Sequence, residues 1–447
     1  MEQIDLNELC GAVNGTTVGN LPSLINSQGV SIDTREDMKG KIFIPLKGQR
    51  DGHDFLHTAF EKGALFAFSE NECKYPHIRV KNTFSAIKSF AKFYKDKFSV
   101  TTVGITGSAG KTTTKDVTSS ILSMALPTLK TQGNFNNEIG LPLTIFNLNH
   151  SYKACVLEMG MNNFGEISNL ANIARPNVAI ITDIGVAHIE NLGTRENILK
   201  AKLEILDYKP NEVIFDGDND MLAKLKGKVS AKYYYLNKPN EDYTAYNIIY
   251  NGLHGSTATI KILGDVFNVS IPVPGEPIVR CVLAGAIVGK LFGLSNKQIQ
   301  QGVQNFKLSK NRIDIIYGNK LTIINDTYNA SPNTMKAMLN LLASEKGKKI
   351  AILGDMYELG SFSEELHKEL GEYDKISNID MLICIGDMAI NIYNAAKSTT
   401  INKSNIFYFK TKEEFFESGI ISGFDVATVL LKASRGMAFE EITKYLQ

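Results

Sequence analysis

V-G-I-T-G-S-A-G-K-T-T-T (103–114) is the stretch on which the fold turns. TTVGIT (101–106) is a β-branched run of strand length, and a helix-compatible segment begins at Thr112. Between them, Gly107 and Gly110 let the backbone fold tightly, so that consecutive N–H groups converge on phosphate oxygens. The N-terminal dipole of the following helix favours the same anion. Lys111 places a point charge on the β- and γ-phosphates, and the Thr112 hydroxyl can ligate Mg²⁺. Ser108, Ala109 and Thr113 complete the expected ATP-contacting loop. A full P-loop needs Gly at 105, where this chain has Ile105, so the pattern is the shorter G-x-x-G-K-T form. A Gly-rich turn with a solvent-facing lysine is the bland alternative. The preceding strand, the following helix and the Lys-Thr pair at their junction weigh against it.

Outward from this loop the pattern is α/β. ACVLE (154–158) and VAIIT (178–182) are apolar runs suited to a buried parallel sheet. ATIKIL (258–263) and VFNVSI (266–271) read as a hairpin turning at Gly264-Asp265, and a helix is expected over Val282–Phe292. Beyond residue 308, LTIIN (321–325), KIAIL (349–353), MLICI (381–385) and VATVLL (426–431) alternate with helical patterns at Thr334–Ala343 and Ser363–Leu370. That alternation predicts a Rossmann-like doubly wound sheet. Ahead of the loop, residues 1–82 mix a β-like run (Lys41–Leu46), a helical stretch near Phe55–Gly63 and many turn formers. The expectation is three domains: 1–82, a central ATP-binding domain at 83–308, and a C-terminal domain at 309–447. A chain of 447 residues is too long for one core, since cores stop growing near ~250–300 residues.

Composition narrows the function class. A net charge of +1 gives no bulk attraction to nucleic acid or to a membrane surface. The five scattered cysteines form no C-x-x-C pair, which fits reduced thiols better than disulfides or a zinc site. No stretch approaches the ~18 apolar residues of a membrane span, and the acidic N-terminus does not read as a signal peptide. A soluble cytoplasmic protein is expected.

Three residues following the strands carry alternatives. Glu158 closes the run V-L-E, where a carboxylate suits either Mg²⁺ or a structural hydrogen-bond acceptor. His188, in D-I-G-V-A-H-I-E, has the same ambiguity, and Lys202, in A-K-L-E-I, reads alone as a solvated helix lysine. Arg312 fits a surface ion pair and Asp326 a turn. His53 in D-G-H-D-F stays open, and His57, four residues on, lacks a third ligand.

Taken together and in this order, these segments resemble the Mur ligases, the ATP-dependent amide ligases of peptidoglycan synthesis. The resemblance covers nearly the whole chain. It includes S-I-D-T-R (31–35) and K-I-F-I-P-L-K-G-Q-R-D-G-H-D-F (41–55), similar to the family's UDP-binding domain. It continues through T-Q-G-N-F-N-N-E-I-G-L-P-L-T (131–144), L-E-M-G-M-N-N-F-G-E-I (157–167), A-H-I-E (187–190), I-N-D-T-Y-N-A-S-P (324–332) and I-L-G-D-M-Y-E-L-G (352–360), the last followed by His367. The T-x-G-N-x-N-N-x-I-G and G-D-M-x-E-L-G strings favour the branch (MurF) that adds D-alanyl-D-alanine.

The resemblance implies that ATP phosphorylates the terminal carboxylate of UDP-MurNAc-tripeptide. The amine of D-Ala-D-Ala then attacks the acyl phosphate. It further implies that Thr112 and Glu158 hold one Mg²⁺, that His188 and a carbamylated Lys202 help hold a second, and that Lys111 and Arg312 neutralise the transferring phosphoryl group. Asp326 and Tyr328 are implied at the ribose or adenine end, and Ser31, Thr34, Arg35, Gly48, Asn136 and Asn137 at the muramoyl-peptide substrate. A monomer is expected. Three departures stand out. Gly275-Glu276-Pro277-Ile278-Val279-Arg280-Cys281 replaces the family's G-x-H-N-x-x-N, Asp183 replaces Asn in T-N-I, and Ala433 replaces Gly in K-G-S-R. The alternatives are another Mur-type or folylpolyglutamate-like ligase, and a non-catalytic nucleotide-binding homologue.

Overall fold

The strand expected at Thr101–Thr106 forms with those bounds and runs straight into the phosphate loop, whose helix is Lys111–Leu122. The computed structural model describes residues 1–398 and 403–447. The chain packs as two compact units, Met1–Thr106 with Ala125–Ile180 and Leu203–Val213, and Gly107–Met124 with Ile181–Lys202 and Ile214–Gln447.

In the first unit, Thr101–Thr106 pairs in parallel with Ala154–Glu158, which pairs in parallel with Thr128–Lys130. Every residue of Ala154–Glu158 is buried, as a strand covered on both faces must be. Residues ahead of this sheet build a five-stranded one, in the order Thr16–Val18, His77–Arg79, Phe66–Ser69, Ile42–Phe43, Val30–Ser31. The β-like run expected over Lys41–Leu46 shrinks to Ile42–Phe43. Pro45 has no N–H for a ladder, and the Leu46 carbonyl accepts from the Gly52 N–H in a turn. Asn82 then caps the helix Thr83–Asp96 by accepting the Ser85 N–H, and that helix buries Phe90 and Tyr94.

In the second unit the helix Lys111–Leu122 packs against Glu276–Leu291 and Asn296–Asn305. Close approach is possible because residue 302 is glycine, where a Cβ would lie 2.4 Å from the Ile121 Cα. The helix expected at Val282 begins at Glu276 instead. Pro277 sits in its first turn, where a missing N–H costs nothing, and Glu276 pairs with Arg280 one turn on at 2.9 Å. The hairpin also differs by one residue. Ile262 is opposite Asp265, so the turn is Leu263-Gly264, and Leu263 takes the positive φ of +54°.

The C-terminal part of the second unit is a six-stranded sheet, ordered Asp314–Tyr317, Leu321–Asn325, Ala427–Lys432, Lys348–Gly354, Met381–Ile385, Ile406–Phe409. All pairs but the first are parallel. Alternate strand residues enter opposite cores: Ala351, Leu353, Leu382 and Cys384 on one face, Ile350, Ile352, Ile383 and Ile385 on the other. Both faces are therefore covered, and the expected doubly wound arrangement forms. All five cysteines are free thiols.

Candidate active site

The phosphate loop takes its shape from two glycines and a clamp. Gly107 has φ +152°, and a Cβ there would lie 2.0 Å from the Thr182 Oγ1. Gly110, at φ +81°, is the N-cap of the helix. Residues 182–183 fasten the loop between them, as Thr182 Oγ1–H donates to the Ala109 carbonyl (2.5 Å) and the Ser108 N–H to the Asp183 carbonyl (2.8 Å). Lys111 folds back so that its ammonium donates to the Gly107 carbonyl at 2.7 Å. Gly107→Ala should therefore lose affinity for a non-hydrolysable ATP analogue by at least ~10-fold and cost ~1–3 kcal/mol of stability. Calorimetric titration and urea unfolding check both; wild-type values would mean that the clamp does not shape the loop.

Near the loop's charge lies a lysine with its own ammonium suppressed. Lys202 is 1% exposed, and burial first, then the Lys111 charge, hold its amine well below the ordinary lysine range against the pull of Asp183. Burial raises the Asp183 carboxyl, opposed by a 2.7 Å hydrogen bond from Asn219 Nδ2. His188 has φ +66°, and its Nδ1 lies 2.8 Å from Oε2 of Glu358, itself at φ +63°. The pairing lowers the Glu358 carboxyl.

Two hundred residues after the loop, Arg312 donates from Nη2 to the Thr112 Oγ1 at 3.0 Å. Its guanidinium stacks 3.9 Å from the centre of the Tyr328 ring. Asp326 pairs with the buried Lys432 through Oδ2 and accepts the Ile313 N–H at Oδ1 (3.2 Å), so both of its oxygens already have protein partners. Lys432 also donates to the Asn329 carbonyl (3.0 Å). The G-D-M-Y-E-L-G segment is fastened from within. His367 Nε2 accepts the Met356 N–H (2.9 Å), and Asp355 Oδ1 accepts from Met388 and Ala389.

The remaining expected residues belong to the first unit. Glu158 is 2% exposed; Oε1 accepts from Asn136 Nδ2 at 2.9 Å, while Oε2 is buried without a hydrogen-bond partner. Asn137 Oδ1 instead accepts from Ile139 and Gly140, shaping the turn into the helix Gly140–Ile145. Ser31 Oγ–H donates to Glu36 (2.9 Å), Arg35 pairs with Asp33 on the surface, and the Thr34 carbonyl accepts from Lys62 (2.7 Å). The Gly48 N–H donates to Arg50 O across a narrow turn. His53 bridges Asp51 (Nδ1, 2.6 Å) and the Glu70 N–H (Nε2, 3.1 Å), a turn-holding role. His57 is exposed beside Tyr75 and Glu61.

An orphaned buried carboxylate oxygen at Glu158 is what a cation ligand looks like before its cation. No group of three or more His, Cys, Asp or Glu side chains able to hold a metal occurs among the described residues. A lone carboxylate oxygen suits Mg²⁺, which takes one or two carboxylates and completes its shell with hydroxyl, water and substrate phosphate. In the altered 275–281 stretch, Arg280 is held by three carboxylates. Arg280 donates to Asp216 (3.2 Å), Asp218 (3.1 Å) and Glu276 (2.9 Å), and burial lifts the Asp216 carboxyl to about 6 against the pull of Arg280. Sequence reasoning missed Glu358 and Lys432 as site residues, although both lie in family-like segments; Thr182-Asp183 stood out only as a departure from T-N-I, and nothing local marks Asn219.

Family models match two parts of the chain, the Mur ligase middle domain over residues 105–289 and the Mur ligase glutamate ligase domain over 311–435. The UDP-N-acetylmuramoyl-tripeptide–D-alanyl-D-alanine ligase of Bacillus subtilis (strain 168) is 36% identical over 429 residues, covering 94% of this chain and 93% of that protein. Its counterpart in Escherichia coli (strain K12) is 32% identical over 100% of this chain and 99% of its own. Among solved structures, MurF from Acinetobacter baumannii superposes with a TM-score of 0.91 at 26% identity, covering 100% of this chain and 99% of that one. MurF ligase from Thermotoga maritima in complex with ADP gives 0.82 at 28% identity, over 94% and 97%.

Proposed function

This chain belongs to the Mur ligase family, and we propose that it joins D-alanyl-D-alanine to UDP-N-acetylmuramoyl-tripeptide at the expense of ATP, through an acyl phosphate, yielding UDP-MurNAc-pentapeptide, ADP and phosphate. Full-length similarity to ligases of that name carries the reading. The loop supports it: glycines that a Cβ would disrupt, a lysine at its head, and an arginine already on its threonine.

The chemistry asks two anions, a carboxylate and a triphosphate, to meet. Lys111 and Arg312 offset that repulsion and stabilise charge on the transferring phosphoryl group. Mg²⁺, when bound, supplies further neutralisation of the phosphate oxygens. Thr112 and Glu158 are proposed for one Mg²⁺, and His188 with a carbamylated Lys202 for a second. Ser31, Thr34, Arg35, Gly48, Asn136 and Asn137 are proposed for the muramoyl-peptide, and Asp326 and Tyr328 for the nucleoside. The domain limits 1–82, 83–308 and 309–447 belong to the same proposal. No helix among the described residues is long and apolar enough to cross a membrane; we place the enzyme in the cytoplasm as a monomer.

ADP release tests the function. Release is expected only with a UDP-MurNAc-tripeptide and D-Ala-D-Ala together. Release with a folate and glutamate instead, or none with any muramoyl peptide and amine, would reject the reading.

A further inference from the structure

The helix Lys111–Leu122 carries Thr112 and Asp116 one turn apart on one face. One short segment reaches both. Asp116 Oδ2 accepts the Ser309 N–H (3.1 Å) and the Ser309 Oγ–H (2.8 Å), and three residues later Arg312 donates to Thr112. Asp116 is 2% exposed and lies 3.3 Å from the Nζ of Lys115, which is also buried.

The backbone around Arg312 is strained. Asn311 has φ +61° and Ile313 φ +45°. A β-branched residue in the left-handed region is an outlier, and such a conformation persists only where its surroundings over-determine it. On the sheet side the hold is clear: the Asn311 carbonyl accepts the Tyr328 N–H (3.0 Å), and the Ile313 N–H donates to Asp326. On the helix side it is the Asp116–Ser309 pair. A buried carboxylate thus makes two hydrogen bonds to one serine three residues before an arginine flanked by two left-handed residues.

We propose that Asp116, acting through Ser309, is a positioning residue for Arg312. It fastens residues 309–312 along the phosphate-loop helix, so that the guanidinium is kept at the Thr112 hydroxyl where the phosphoryl group is received. This rests on the reading of Arg312 as the phosphoryl-stabilising cation. The competing account is that Asp116 only neutralises Lys115.

A double-mutant cycle separates the two accounts. Ser309 is varied rather than Asp116, because removing the carboxylate would strip the partner from buried Lys115. Ser309→Ala, Arg312→Ala and the double variant are compared in ADP release and in affinity for a non-hydrolysable ATP analogue with Mg²⁺. Ser309→Ala is expected to lower kcat by ~10-fold, since a displacement of about an ångström at a reacting group is enough for that. Ser309→Thr, which keeps the hydroxyl, should recover most of the loss. In the Arg312→Ala background, Ser309→Ala should have no further effect in either measurement. Losses that multiply, or a Ser309→Ala variant matching wild type in both measurements, would overturn the proposal. A wild-type chain that releases no ADP would refute the proposed function instead, and the cycle would still be read in analogue binding.

Discussion

Lys111→Ala is expected to lower ligase turnover by at least ~10³-fold while the protein stays folded. Removing one preorganised donor from a developing charge commonly costs about 10²–10³-fold, equivalent to ~3–4 kcal/mol of transition-state stabilisation. Lys111 stands above that range for two reasons. It contributes a full charge rather than a dipole, and it sits at the head of the helix whose N–H groups face the same anion. The resting bond from its ammonium to the Gly107 carbonyl shows that the side chain already lies over the loop, so little reorganisation separates it from bound phosphate. Stability should change little, because Lys111 is only half-buried and the loop is held by backbone bonds from Ser108 and the Thr182 hydroxyl. Steady-state ADP release with a thermal melt checks both halves. A kcat near wild type would remove Lys111 from its assigned role.

What could be read before the structure was what the chain encodes locally. Thr101–Thr106, Ala154–Glu158 and Met381–Ile385 form with the bounds their β-branched and apolar runs imply, because nearly every residue of each run is buried in a sheet covered on both faces. Boundaries failed where one residue admits two geometries. Pro277 reads as a breaker yet serves in a first helical turn, and Leu263, not Gly264, takes the positive φ that the hairpin needs. The shape of the Gly107–Thr112 loop was legible because it lies in contiguous backbone. Its partners were not: Thr112 and Arg312 are 200 residues apart, and His188 and Glu358 are 170 apart, beyond the span of any local motif. Only the family likeness put Arg312 and Lys202 in the same sentence as the loop. No likeness pointed to Asp116, whose significance is a contact with Ser309 that no local pattern encodes.

Lys202→Ala is expected to lose at least ~10²-fold in turnover, and to regain part of it in added acetate or formate. A buried ammonium beside Lys111 would repel both Lys111 and the nucleotide's metal. The site removes that difficulty by suppressing the charge, burial first and Lys111 second. The sign has a chemical consequence. With its proton affinity lowered, the amine is neutral across pH where an ordinary lysine is cationic, and only the neutral amine can attack carbon dioxide. A C–N bond then forms as one C=O π bond of carbon dioxide opens onto oxygen, the nitrogen loses a proton, and the neutral amine becomes an anionic N-carboxylate able to act as an oxygen ligand. Removing the side chain from a position 1% exposed leaves a space suited to a one- or two-carbon carboxylate, which is why rescue should depend on the size of the added acid. Independent of activity, ¹³C-labelled bicarbonate should give a carbamate carbonyl resonance in the wild-type protein that Lys202→Ala lacks. Full activity without added acid, or a spectrum without that resonance, would leave Lys202 as a buried neutral amine and return the metal to other ligands.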